Sequence, residues 1–316
     1  MSYIHQALLY FRKGEFDRAQ TLYEDGIAVL STKSDQDLLA DAMTFLGTIL
    51  HLNGDYDRSR NLLKKGLSFA QESKDKWFEA FSIFSLGYTE SLMGNYTEGY
   101  QQMLVGSALL REIGDPQSIS MGLNFMVPTL IQLGRYDEAK TIMLESIALC
   151  EQSKNRWGLG TAYRHLGLAC IAAGQFDEAR TYILKSLEIF GEFAEGWDIA
   201  KSQTYLGDIA VKVGNFPEAR RYYQDAMKLS LAVHAFPVAL DALLGIGNMQ
   251  MQSGEIENAL ILFYFVLNHP ASEEETKKSA EKLIRHMEST FSTAQKYHAY
   301  TQVKMATFEE ILEFTS

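Results

Sequence analysis

Seven histidines, two cysteines and forty carboxylates are the residues of this 316-residue chain that could do acid–base, nucleophilic or metal chemistry. His5, His51, His165, His234, His269, His286 and His298 are scattered, with none in an HExxH pair or at metal-ligand spacing with cysteine. No GxSxG, GxGxxG or catalytic-cysteine signature occurs, and there is no GxxxxGK[ST] phosphate loop. Cys150 and Cys170 are too few for a disulfide framework. Cys150 shares a recurring column with Leu30, Ala70, Leu110 and Phe190, so it reads as a small buried hydrophobe. Most carboxylates fall on exposed faces or in recurring positions that a helix start explains. The expectation is a chain without catalytic residues, metal or cofactor.

The composition, 47% hydrophobic and 22% charged, suffices for a packed core and excludes a disordered chain. A net charge of −11 argues against nucleic acid as a partner, since phosphate-backbone affinity comes from lysine and arginine. Apolar stretches are broken well before the roughly 18 residues a membrane helix needs. The opening "MSYIHQALLYFRKGEFDRA" lacks the basic start, apolar centre and cleavage site of a signal peptide. A cytoplasmic setting away from membranes is expected.

What must position any functional group is a repeat. Gly14, Gly54, Gly94, Gly134, Gly174, Gly214 and Gly254 stand 40 residues apart without slippage. Two residues after them come Phe16, Tyr56, Tyr96, Tyr136, Phe176, Phe216 and Ile256. Five after them come Ala19, Ser59, Gly99, Ala139, Ala179, Ala219 and Ala259. Upstream, Leu-Gly pairs recur at 46–47, 86–87, 166–167 and 206–207, with Ile246-Gly247 close behind. Apolar residues at spacings of three and four make each repeat two helices, A and B. The glycine ends helix A in the left-handed region; Asp17, Asp57, Asp137 and Asp177 open helix B, and Pro217 takes that place in the sixth repeat. A single hairpin cannot bury its apolar face; a row of them can, as an all-α solenoid. The expected layout is seven repeats over 1–270 and capping helices over 271–316. Ser272 with Glu275, and Thr307 with Glu310, have capping-box spacing in the second region.

The Leu-Gly pair, the Gly-x-aromatic turn and the alanine five residues on make this chain resemble the tetratricopeptide repeat family over roughly residues 1–270. The resemblance implies a right-handed superhelix whose A helices line a concave groove. The 40-residue unit, as in "RWGLGTAYRHLGLACIAAGQFDEARTYILKSLEIF", and the tail "VLNHPASEEETKKSAEKLIRHMEST" with "TFEEILEFTS" are similar to the C-terminal sensor regions of bacterial STAND signalling proteins, the group of the maltotriose-responsive transcription activators. That resemblance implies a non-enzymatic sensor whose ATPase switch lies elsewhere, on a preceding N-terminal portion or on another chain. Met1 falls inside the first helix A, which fits either a fragment or a frayed first helix. A free-standing adaptor and a peptide-pheromone receptor are the alternative readings.

Carried over from the Leu-Gly register, groove positions lie 13, 10, 6, 3 and 2 residues before each turn glycine. They include Phe81, Phe84, Tyr88, Ser91 and Leu92 in the third repeat, and Met121, Asn124, Pro128, Ile131 and Gln132 in the fourth. Thr161, Arg164 and Leu168 follow, then Lys201, Thr204 and Asp208, then Asp241, Leu244 and Asn248. Apolar anchors give way to charged groups, which suits a protein or peptide, or a small-molecule effector. Each aromatic has the competing reading of packing between repeats. Pro128 interrupts a helix A and would free the carbonyl of Asn124; either this offers Asn124 to a ligand or the helix merely kinks. Trp77, Trp157 and Trp197 share one column, read as packing.

Overall fold

The computed structural model describes residues 3–12, 16–30, 36–52, 55–193, 196–233, 235–287, 291–304 and 306–315. Met1, Gly14, Gly54 and His234, named above, lie outside them. All described secondary structure is helical, and the chain divides into two compact units, residues 1–162 and 163–316.

The N-terminal unit holds α1 (Tyr3–Arg12), α2 (Phe16–Leu30), α3 (Gln36–Leu52), α4 (Tyr56–Ser73), α5 (Lys76–Leu92), α6 (Tyr96–Ile113), α7 (Pro116–Gln132) and α8 (Tyr136–Gln152), and the boundary falls inside α9 (Arg156–Ala172). The C-terminal unit continues with α10 (Phe176–Phe193), α11 (Gly196–Lys212), α12 (Phe216–Ala232), α13 (Phe236–Ser253) and α14 (Ile256–Asn268). It ends with α15 (Glu274–His286), α16 (Thr293–Val303), α17 (Phe308–Leu312) and one 3₁₀ turn, Glu313–Thr315. In each unit an odd-numbered A helix packs on the B helix that follows it. It also touches the next A helix, as in α3 with α5, α5 with α7 and α11 with α13. The repeat therefore becomes an array in which A helices flank one another.

Local chemistry explains the punctuation. Gly94, Gly134, Gly174, Gly214 and Gly254 have φ between 71° and 94°, where a β-carbon is strained. Asp57, Asp137 and Asp177 lie in the first turn of their B helices, where exposed amides favour negative charge. A second set of signals, not read from the sequence, starts the A helices. Asp75 accepts from the amides of Trp77 and Phe78 at 3.0 and 3.1 Å, Asp115 from Ser118 at 2.9 Å, and Asn155 from Gly158 at 2.9 Å.

The Leu-Gly column and the small residue five after the turn meet each other. A β-carbon on Gly87 would lie 2.5 Å from the carbonyl oxygen of Gly99 and 2.8 Å from the amide of Met103, so α5 and α6 touch backbone to backbone. In the C-terminal unit the ring of Tyr223 fills the same hole: a β-carbon on Gly207 would sit 2.5 Å from it. The fully buried Leu63, Met103, Met143, Ile183, Tyr223 and Phe263, nine residues after their turns, are the knobs of this packing. Cys150 and Cys170 are buried, as the hydrophobe reading requires.

Two expectations need correction. Residues 272 and 275 do not form a capping box: α15 begins one residue later than that pattern needs, with Glu273 at its N-cap and no side-chain cap bond. Ser272 is buried and its hydroxyl has no hydrogen-bond partner among the described residues. Thr307 and Glu310 do form the box, and Ser292 with Gln295 forms another. Pro128 does not interrupt its helix either, since α7 continues through it to Gln132. Among the described residues no helix is long and apolar enough to cross a membrane.

Candidate functional site

In the N-terminal unit the A helices meet through rings. Phe81, buried, stacks on Trp77 at 5.0 Å and lies 5.6 Å from Phe45. Phe84 is 2% exposed, and Tyr88 is half-buried; both face Phe125, at 6.3 and 5.3 Å, and Tyr88 also meets His51 at 5.2 Å. Burial drives the His51 imidazole down to about 3, so it is neutral at ordinary pH. Asn124 is buried and its Oδ1 accepts from Ser146 on the B helix at 3.0 Å, while Met121 and Pro128 are half-buried. Asn124 is thus engaged in the hairpin's own packing.

The tryptophan column is not uniform. Trp77 packs on Phe81, and its indole N–H donates to Ser118 Oγ at 3.0 Å. Trp157 and Trp197 are 47% and 41% exposed. The Trp197 ring has a task of its own, with the Arg164 guanidinium 5.1 Å from its centroid.

In the C-terminal unit the same helix face is charged. Arg164 pairs with Asp198, and both are nearly sealed from solvent; the guanidinium also lies 5.3 Å from the Phe190 ring. One helix along, Lys201 pairs with Asp241, whose other oxygen accepts from Thr276 at 2.6 Å. Lys201 also lies over Tyr205. Burial alone would loosen the Lys201 proton, but Asp241, Tyr205 and Glu273 outweigh it and hold the ammonium charged. Asp208 accepts from Tyr223 Oη at 2.7 Å; burial lifts its carboxyl to about 6 against the pull of that bond. His165 is held down to about 3 by burial and by the charges of Arg164 and Lys201. Thr204 is buried with its hydroxyl on the carbonyl of Ala200, and Asn248 is half-buried.

The face thus has a depth profile. The column ten residues before the glycine is buried at Phe84, Asn124, Arg164 and Thr204. The half-buried positions lie thirteen before it (Met121, Lys201, Asp241), six before it (Tyr88, Pro128, Asp208, Asn248) and nine before it (Phe125, His165, Tyr205). The last column escaped the register carried over from the Leu-Gly pair; its aromatic and histidine content was the available signal. Asp198, Glu273 and Thr276 also escaped, because they sit near helix starts outside any groove column. The resulting ladder fixes its own ionic partners, Arg164 with Asp198 and Lys201 with Asp241. It leaves Tyr205, Asp208 and Asn248 as polar groups on a partly open surface. Among the described residues, no group of three His, Cys, Asp or Glu is placed to hold a metal ion.

Models of the tetratricopeptide repeat match residues 1–72, 123–192 and 206–266, together more than half the chain, and none is of a catalytic family. No curated protein matches the sequence. Among solved structures, a Rap protein complexed with Competence and Sporulation Factor is similar at 13% identity and a TM-score of 0.68, over 99% of this chain and 96% of that one. NprR in complex with its cognate peptide NprX is similar at 15% identity and a TM-score of 0.65, over 97% and 89%. A signal-transduction ATPase with numerous domains and a tetratricopeptide-repeat sensor, from Pyrococcus horikoshii, is similar at 14% identity and a TM-score of 0.53, over 99% of this chain but 44% of that one. At these identities the likeness is one of fold. With its hairpins, its turn glycines and its matched repeats, the chain belongs to the tetratricopeptide repeat family.

Proposed function

We propose that the chain is a non-catalytic recognition module that holds a protein or peptide segment on the A-helix face of its C-terminal unit. One observation carries this reading. The Lys201–Asp241–Thr276 ladder locks its side chains beside the half-buried Tyr205, Asp208 and Asn248. An extended backbone needs donors and acceptors at fixed places, and groups already ordered cost little to use. The similarity in fold to NprR, solved with its cognate peptide, supports a peptide as the ligand class.

A second reading is favoured by the likeness to the Pyrococcus horikoshii ATPase: the module as the sensor of a bacterial STAND-type signalling protein in the cytoplasm. Ligand binding would then bias an attached nucleotide switch. Photo-crosslinking of an ATP analogue to the native polypeptide, purified from its source cell, separates this from a free-standing adaptor, which would take no label.

The binding claim is tested by panning a random-peptide display library on the wild-type chain and on Lys201→Met/Asp241→Asn. That pair of changes removes the Lys201 and Asp241 charges together, so neither is left without the other. Peptides that bind wild type and lose about tenfold or more on the variant are expected. No enrichment on wild type, or equal binding to both proteins, contradicts the claim.

A further inference from the structure

In the N-terminal unit one carboxylate stands apart from every pairing described so far. Asp41 is half-buried on α3, and its Oδ1 is closed to solvent without a hydrogen-bond partner among the described residues. One helical turn later, on the same face, comes Phe45. Its half-buried ring has Phe11 at 5.3 Å, Phe81 at 5.6 Å, Phe78 at 6.2 Å and Trp77 at 6.5 Å. Trp77 is fixed by Ser118 and Phe81, and Phe78 stands edge-on to it at 4.9 Å. Three partly exposed rings, Phe45, Trp77 and Phe78, therefore cluster about one helical turn along α3 from the carboxylate.

The ionisable groups acting on Asp41 do not neutralise it. Burial raises its carboxyl to about 6; His5 on α1 opposes that and Asp75 adds to it. Asp75 is itself a carboxylate, engaged with the amides that open α5. At pH 7 Asp41 is thus mostly ionised and half-buried, and among the described residues no cation is fixed to it. A buried charge is tolerated when paired, and aromatic faces attract cations through their negative π surface.

We propose that this corner of the N-terminal unit binds an alkylammonium group, whose charge pairs with Asp41 and whose hydrocarbon rests on the rings of Phe45, Trp77 and Phe78. The site is separate from the peptide ladder of the C-terminal unit and can fail alone. A peptide lysine and a free amine share this chemistry, so both are needed as probes.

The test follows the Trp77 indole N–H resonance in ¹⁵N-labelled protein at pH 8, assigned with Trp77→Phe. Butylammonium is titrated in one arm and acetyl-Gly-Gly-Lys-Gly-amide in the other, with the norleucine peptide as the uncharged control. Saturable shifts from the ammonium probes are expected, with silence from norleucine. Asp41→Asn should weaken binding about tenfold. Phe78→Leu, which keeps an apolar filler, should weaken it severalfold and serves if Asp41→Asn does not fold. Tighter binding of the lysine peptide assigns the site to a peptide side chain, and tighter binding of the amine assigns it to a free small molecule. No saturable shift from either probe, or undiminished affinity in the folded variants, overturns the proposal.

Discussion

In the N-terminal unit, neighbouring A helices touch through rings and hydroxyls: Phe45 on Phe81, Thr44 with Ser82 at 2.8 Å, His51 with Thr89 at 3.3 Å. In the C-terminal unit the equivalent face is bridged by Arg164–Asp198 and Lys201–Asp241. Yet the interior frame is the same in both. Gly87 and Gly207 admit a B-helix neighbour at contact distance, and Ala139, Ala179 and Ala219 are all fully buried. The difference teaches that the repeat fixes the hairpin while leaving the A-helix face free to vary. Function is therefore to be sought where the units differ.

The comparison breaks most severely at Asp198. Asp198→Ala leaves the Arg164 guanidinium buried without its counter-charge, and a loss of ~3–5 kcal/mol in denaturant unfolding is expected. Methionine at 164 combined with leucine at 198 should recover most of it, because the charge is then removed with its partner.

Next comes the shared frame. Gly87→Ala drives a methyl group into the backbone of α6, which cannot swing away as a side chain could. A loss of ~2–3 kcal/mol is expected from overpacking. A loss below ~0.5 kcal/mol would show that the frame is looser than the backbone contact implies.

Asp208 sharpens the contrast through pH. Its folded-state value of about 6 lies above the ordinary 3.8, so the folded protein binds that proton more tightly than the unfolded chain. Stability therefore falls as pH rises from about 4 through 6. Asp208→Asn keeps an acceptor for Tyr223 and removes the penalty. It should gain ~1–3 kcal/mol at pH 7 and nothing near pH 3.5. A gain independent of pH would locate the effect in packing instead.

The smallest expected effect is a gain in the N-terminal unit. Lys154 ends α8 with φ of 56°, in the column where Gly114 has φ of 79°. Lys154→Gly should add ~0.5–1 kcal/mol, the relief of the left-handed strain less the entropy of glycine. Thermal unfolding would register this as a small upward shift.

Much of this architecture is legible in the sequence because backbone geometry enforces it again and again, at Gly94, Gly134, Gly174, Gly214 and Gly254 among the described residues. A left-handed turn favours glycine, and a close helix crossing needs a missing side chain, so Gly174 and Gly207 announce themselves. The face is harder to read. Arg164 looks like a groove residue, yet burial and Asp198 take it out of solvent. Asn124 is turned inward by Ser146, a bond that depends on helix rotation and not on spacing. Tyr205 and Phe125 lie one residue from the carried-over register, a shift of about 100° around the helix that no motif encodes. Asp198 and Thr276 join the ladder from positions near helix starts, through contacts between successive A helices, and only coordinates reveal these.

Carboxyl footprinting with a selected peptide tests the central claim most directly. Asp208 and Asp241 on the A helices should lose labelling when peptide binds, while exposed Asp225 on α12 keeps it. Protection of Asp225 with unchanged labelling at Asp208 and Asp241 would place recognition on the B helices and contradict the account.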